Sequence, residues 1–246
     1  MIRADFIRSY KGKLLPFHQE LKAKYPHVIV PKRVSWEEVV KGTLVEECLA
    51  VSHRWMEPKQ PDPDGKQLKA IQQFLASPDG AKIKYVWIDA QSMPQDIPQG
   101  SRTPADKADF MRMLSEVNML YLGMSVLILL DLSYVSRFWT QFEAWLSMQT
   151  PTPEGLQSAI GTGRERHHII CIQNAAEQAD MHKQMLIQSW ATKTPQQAHD
   201  YLKSPDVTVT NQSDKQGQLP KIKSLHQTVQ KRFQVIDSGA HELPSA

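Results

Sequence analysis

Residues 125–145 read SVLILLDLSYVSRFWTQFEAW, and this stretch decides how its surroundings are read. Its first part, SVLILLDLS (125–133), is the most apolar strand of the chain. A strand with one wet face alternates apolar and polar residues. An unbroken apolar run is buried on both faces, the mark of a parallel sheet covered by helices. The run is also far short of the roughly 20 residues that span a membrane. Its second part has helical spacing. At roughly 100° per residue Phe138, Trp139, Phe142, Trp145 and Leu146 share one apolar arc. Glu143 sits on the border of that arc, one turn beyond Trp139, with Gln141 and Ala144 on the solvent side. A carboxylate there is either a solvated border residue or an acid partly withdrawn from water, with a raised pKa and stronger electrostatics.

The pattern repeats outward from this unit. Strands are expected over TLVEECLAVS (43–52), YVWIDA (85–90), RHHIICIQN (166–174) and, more briefly, DVTVT (206–210). Helices alternate with them. Leu68, Ile71, Phe74 and Leu75 share a face over 66–76, and Thr103 with Pro104 opens a helix that ends at Gly123. The aromatic helix, 136–149, stops at Thr150-Pro151-Thr-Pro153. Asn174 and Thr194 cap the next two helices, and 219–236 is a closing amphipathic one. Residues 1–44 read as a helical extension in which Ser35 and Glu38 form a capping box. The α/β domain then covers 45–235, and 236–246 is a loose tail. Five parallel strands with helices on both faces predict a flavodoxin-like, doubly wound α/β fold. Such sheets bind ligands beyond the carboxyl ends of their strands, which selects 52–65, 89–103 and 131–143.

Composition narrows the function. The chain has 246 residues and a formal net charge of +3, with no basic stripe interleaved with aromatics, so nucleic acid is not expected as a partner. Its two cysteines, Cys48 and Cys171, lie in apolar runs and fit a reducing, cytoplasmic setting. The first residues lack the apolar core of a secretory signal, and neither a membrane nor a metal is expected as a partner. HExxH and CxxC motifs are absent, and the adjacent His167 and His168 point to opposite faces of a strand. PDPDG (61–65) lacks the remaining ligands of a calcium loop and reads as a polar loop capping the helix at Gly65. Gly161-Thr-Gly163 precedes a strand rather than a helix, which excludes a phosphate loop, and no GxSxG elbow accompanies Ser52.

Polar residues gather instead at three strand ends. Ser52, His53, Arg54 and Trp55 follow CLAVS; Asp89, Gln91, Ser92 and Gln95 follow YVWI; Asp131, Ser133 and Tyr134 follow SVLILL.

These segments carry a resemblance. Trp139-Thr-Gln-Phe-Glu143, after an apolar strand and a short loop, matches the WxxxE motif of TIR domains. Ser52-His53-Arg54 looks like the S-Y-R-type end of the first TIR strand, and YVWIDA like the second. YVWIDAQSMPQ is also similar to the W-I-D-x-x-x-x-x-Q stretch of the TIR-like heterokaryon-incompatibility domains. The resemblance covers roughly 45–150; His53 stands where a tyrosine is usual, and Trp55 adds bulk beside it. It implies cleavage of the nicotinamide–ribose bond of NAD⁺ in signalling or defence, with NAD⁺ as substrate and no further cofactor. Glu143 would be the catalytic carboxylate, opposing charge on an oxocarbenium-like ribose. Ser52, His53, Arg54, Trp55, Asp89, Ser92, Gln95 and Trp139 would bind the substrate, with Trp139 or Trp55 stacking on a base and Arg54 meeting the pyrophosphate. Homo-oligomers are also implied. The alternatives are a non-catalytic TIR-like adaptor, or a nucleoside N-glycosidase or deoxyribosyltransferase on a similar sheet.

Overall fold

The computed structural model describes residues 1–238. The chain opens with β1 (Ile2–Arg3), α1 (Ala4–Ser9), α2 (His18–Lys24) and α3 (Trp36–Lys41), then enters β2 (Cys48–Ser52), α4 (Lys66–Ala76) and β3 (Tyr85–Trp87). A single turn, α5 (Asp89–Ser92), leads to α6 (Pro104–Gly123), β4 (Ser125–Leu130) and α7 (Phe138–Ser147). A hairpin, β5 (Gln149–Thr152) and β6 (Gly155–Ser158), precedes β7 (His167–Cys171), α8 (Ala179–Trp190), α9 (Pro195–Lys203) and α10 (Gln212–Asp237). Among the described residues no helix is long and apolar enough to cross a membrane.

The sheet has five strands in the order β1-β3-β2-β4-β7. β2, β3, β4 and β7 run parallel; β1 is antiparallel to β3. Counted along the chain, the parallel strands lie second, first, third, fourth. The direction of winding therefore reverses between β2 and β4. Side chains alternate across the sheet as strand geometry requires. Leu49, Val51, Val86, Ile88, Leu127 and Leu129 pack with α1, α2 and α4, whereas Ala50, Trp87, Val126, Ile128 and Leu130 pack with α3 and α6 to α10.

Two expectations about strands fail. DVTVT (206–210) is not in the sheet: Thr208 makes only an isolated bridge to Arg137, with Phe138 donating to the Thr208 carbonyl and Thr208 to that of Ser136. The fifth strand comes instead from the N-terminal segment expected to be only a helical extension, so the sheet is mixed rather than wholly parallel. Two residues, Ile2 and Arg3, carry too little pattern to be read as a strand. β2 is also shorter than 43–52, because residues 42–47 form turns.

Helix ends correct the sequence reading at four places. Asn174 does not cap a helix; it sits in a 3-10 segment, Gln173–Gln178, and its side chain accepts the Leu132 N–H at 3.1 Å. Thr150-Pro151-Thr-Pro153 is the first arm and the turn of the β5–β6 hairpin rather than a plain stop. α10 begins at Gln212, before the expected 219, and carries Pro220 inside it. It also runs to Asp237, into the expected loose tail; residues 239–246 of that tail lie outside the described residues.

α7 differs most in its surroundings. Its expected solvent side is closed: Gln141 and Ala144 are buried, because α6 and α9 pack against the helix. Arg166 fastens the ends of α6 and α7 from the start of β7. Its guanidinium donates to the carbonyls of Tyr121 (2.9 Å), Leu146 (2.7 Å) and Gln149 (2.5 Å). A cation at two helix carboxyl ends meets the negative poles of both dipoles. Burial nevertheless lowers its pKa to about 9.

Candidate functional site

Ser52 closes β2 on the face that carries Ala50, which points its hydroxyl toward α7. Ser52 Oγ lies 2.6 Å from Glu143 Oε2 and 2.5 Å from the hydroxyl of Tyr134. Serine has one proton to give, so with Ser52 donating to Glu143 the tyrosine donates to Ser52. Tyr121, on α6, bonds both Glu143 and the Val51 carbonyl. Ser52, Tyr121 and Tyr134 are buried, while Glu143 retains partial exposure. Burial raises the pKa of both tyrosines well above the usual value, with the Glu143 charge adding to it, so they stay neutral donors.

Burial pushes the Glu143 pKa up to about 8. The nearby Asp89 carboxylate adds to the rise, while Ser52, His53 and Tyr121 oppose it. At neutral pH the acid therefore holds its proton.

Asp89, in the turn after β3, behaves in the opposite way. Burial opposes its ionisation, but His53, the Trp55 indole and the Ala90 N–H bring its pKa below the usual carboxylate value. His53 Nε2 is 2.9 Å from Asp89 Oδ1, and Trp55 Nε1 is 2.7 Å from Asp89 Oδ2. The other ring nitrogen, His53 Nδ1, is 2.6 Å from Gln67 Oε1. The Gln67 amide is fixed in this orientation, because its nitrogen donates to the Arg54 and Pro61 carbonyls. Both imidazole nitrogens thus face acceptors, which only the doubly protonated ring can satisfy. Burial opposes that charge, yet the Asp89 carboxylate and the Gln67 hydrogen bond raise the His53 pKa. The cluster at neutral pH is a protonated Glu143, a cationic His53 and an anionic Asp89.

The remaining sequence-selected residues divide. Arg54 is turned to Asp131, to which Nε and Nη2 donate, the latter at 2.7 Å; it faces a carboxylate, not an open phosphate site. Trp55 is fixed by Asp89 and lies 6.2 Å from the Phe17 ring. Ser92 accepts the Ile88 N–H, and the Gln95 amide donates to the Asp89 and Met93 carbonyls, so both support the turn that carries Asp89. Gln19 of α2 bonds the Gln95 backbone and His18 the Gln91 carbonyl, which ties the N-terminal segment to the same turn. Trp139 points to α10, where its indole bonds Asp214.

Two predictions follow from these placements. Arg54→Ala leaves Asp131, which is 1% exposed, as an unpaired buried charge. Urea unfolding should show a loss of about 3 kcal/mol. Trp139→Phe removes the donor to Asp214 and should cost about 1 kcal/mol in the same measurement.

Gln67 and Tyr121 belong to the cluster but were not selected from the sequence. Gln67 lies four residues before Ile71, on the buried arc of α4, and a glutamine in that position is the signal that was available. Tyr121, four residues beyond Val117 on the buried face of α6, is the equivalent case.

Among the described residues no group of histidines, cysteines and carboxylates is arranged to hold a metal ion. No protein-family model, curated protein or solved structure matches the chain.

Proposed function

We propose that the chain is a flavodoxin-like, TIR-like enzyme that cleaves the nicotinamide–ribose bond of NAD⁺ with Glu143. The observation that carries the reading is the Ser52–Glu143 hydrogen bond at 2.6 Å, made where the winding reverses between β2 and β4. Ligands of doubly wound sheets bind at that reversal. The strand order and the WxxxE spacing support the same family.

The chemistry asks little of the protein. The electron pair of the C–N bond leaves with the pyridinium ring, which becomes neutral nicotinamide and needs no acid. The ribose is left as an oxocarbenium-like cation, and a nucleophile such as water adds at its anomeric carbon and gives up a proton. An ionised Glu143 opposes the developing charge in a site of low dielectric. Ser52 fixes its orientation, with Tyr134 behind it. A signalling or defence role in the cytoplasm, and self-association, belong to the same proposal.

A second reading draws on the opposed pKa values of Glu143 and Asp89. Two acids driven apart by their surroundings suit a proton donor and an anion, as in glycoside cleavage. Protonated Glu143 would then serve a neutral nucleoside, whose base leaves only when protonated, and Asp89 would face the ribose. The deciding experiment incubates the protein with NAD⁺ and, separately, with purine and pyrimidine nucleosides, and measures released base. Nicotinamide release that depends on Glu143 supports the first reading, and nucleoside cleavage alone supports the second. Release from neither, at high protein concentration, overturns both in favour of a non-catalytic module.

A further inference from the structure

The first turns of α10 present one face to the segment that precedes the helix. Gln212, Lys215, Gln216 and Leu219 recur at i, i+3, i+4 and i+7, so they form one stripe. Opposite them runs 203–209, which ends in the DVTVT stretch that stays outside the sheet. Between the two lies a cavity of about 470 Å³, lined on the far side by Lys203, Val207 and Val209.

The charges around this cavity are not balanced by the protein. Lys215 is only 7% exposed. Its ammonium donates to the carbonyls of Ser204 and Val207, each at 2.8 Å. An ammonium has three donors, so one N–H is left without an acceptor among the described residues. Buried cations are ordinarily paired, yet no carboxylate offsets the burial that lowers the Lys215 pKa. Lys203 adds a second, exposed cation, and no aspartate or glutamate lines the cavity. The two acids nearest in sequence are placed elsewhere. Asp214 accepts from the Trp139 indole and the Asn211 amide, and Asp206 is exposed outside the lining.

We propose that this cavity binds a small phosphate monoester with an apolar body. Two lysines match the roughly two negative charges that such a phosphate carries at neutral pH. The third N–H of Lys215 and the side-chain amides of Gln212 and Gln216 supply donors for its oxygens. A carboxylate, with one charge and two oxygens, would leave part of that set unused. Val207, Val209 and Leu219 meet the rest of the ligand. The cavity shares no residue with the Ser52–Glu143 cluster, so the proposal does not depend on the reaction catalysed.

The test is calorimetric titration of the full chain at neutral pH with phenyl phosphate, inorganic phosphate and phenol in turn. Phenyl phosphate should bind saturably, with a Kd below about 1 mM. Inorganic phosphate should bind at least about tenfold more weakly, because it leaves the valines and Leu219 uncovered, and phenol should not bind. Lys203→Gln removes a charge from the lining and Gln216→Glu adds an acid to it, both at exposed positions. Each should weaken phenyl phosphate about tenfold. Lys215→Met should abolish binding; it also strands two carbonyls, and the two exposed variants decide the matter if it fails to fold. The proposal is overturned by a parent chain without saturable binding, by equal affinity for phenyl phosphate and inorganic phosphate, or by affinity unchanged in both exposed variants.

Discussion

Glu143→Gln is expected to retain less than about one hundredth of the turnover of NAD⁺ while unfolding at a higher temperature than the parent protein. The first effect follows from charge. A glutamine keeps the shape and still accepts from Ser52, but it cannot oppose a cation on the ribose. The second follows from linkage. The folded pKa of Glu143, about 8, lies above its ordinary value of 4.5, so the folded state binds this proton more tightly than the unfolded chain does. Stability from this group is complete below about pH 4.5 and is lost as the pH rises toward 8. Glutamine removes that loss. The gain in stability should be absent at low pH and reach on the order of 2–4 kcal/mol at pH 8. Paired thermal melts and nicotinamide assays at several pH values measure both effects. A variant that is inactive and less stable at every pH would contradict the buried, protonated acid described for α7.

The pH dependence of kcat/KM is expected to separate the two chemistries by a factor of about a hundred over two pH units. If NAD⁺ cleavage needs Glu143 ionised, the rate rises about tenfold per unit below pH 8 and levels off above it. If a neutral nucleoside needs Glu143 protonated, the rate is level below pH 8 and falls above it. His53, whose pKa is raised and whose nitrogens are both engaged by Gln67 and Asp89, adds only a limb that falls with rising pH as the clamp loses its proton, so a rate that rises with pH belongs to Glu143. Initial rates on NAD⁺ from pH 5.5 to 9, repeated with His53→Gln, would assign the limbs. A flat profile through this range would remove Glu143 as the titrating group.

The readable parts of the fold share one property. CLAVS, YVW and SVLILL are almost wholly apolar, and each became a strand because both of its faces are covered, whereas HHIIC, half-buried at the sheet edge, was legible from its Ile169-Ile170-Cys171 end. Ser35, Thr103 and Thr194 were equally legible, since a capping box is completed within four residues and needs no tertiary partner. What could not be read depended on remote contacts. DVTVT alternates as a strand should, yet the start of α7 takes its hydrogen bonds. Gln141 looked like a surface residue because α7 gives no sign of the helices that cover it. At the site, the proximity of Ser52 to Glu143 was suggested by position at strand ends and by the WxxxE spacing. The His53 clamp was not, because the orientation of Gln67 is set by the carbonyls of Arg54 and Pro61. Arg54 is the instructive case. Its charge suggested a phosphate, whereas Asp131, at the end of the neighbouring strand, takes it instead.

The hydrogen bond between Ser52 and Glu143 joins residues 91 positions apart in the chain. Between them lie two complete crossovers, so the pair exists only after β2, β3, β4 and the helices joining them have docked. Loop closure over such distances is slow relative to helix formation. On refolding from urea, helical signal should return well before the environment of Trp145 and Trp190, which lie in the core shared by α7 and α8. Catalytic competence should come no earlier than that core. A partly folded chain would then be inert toward nucleotides, and any NAD⁺ loss through this site would be confined to molecules that had finished folding.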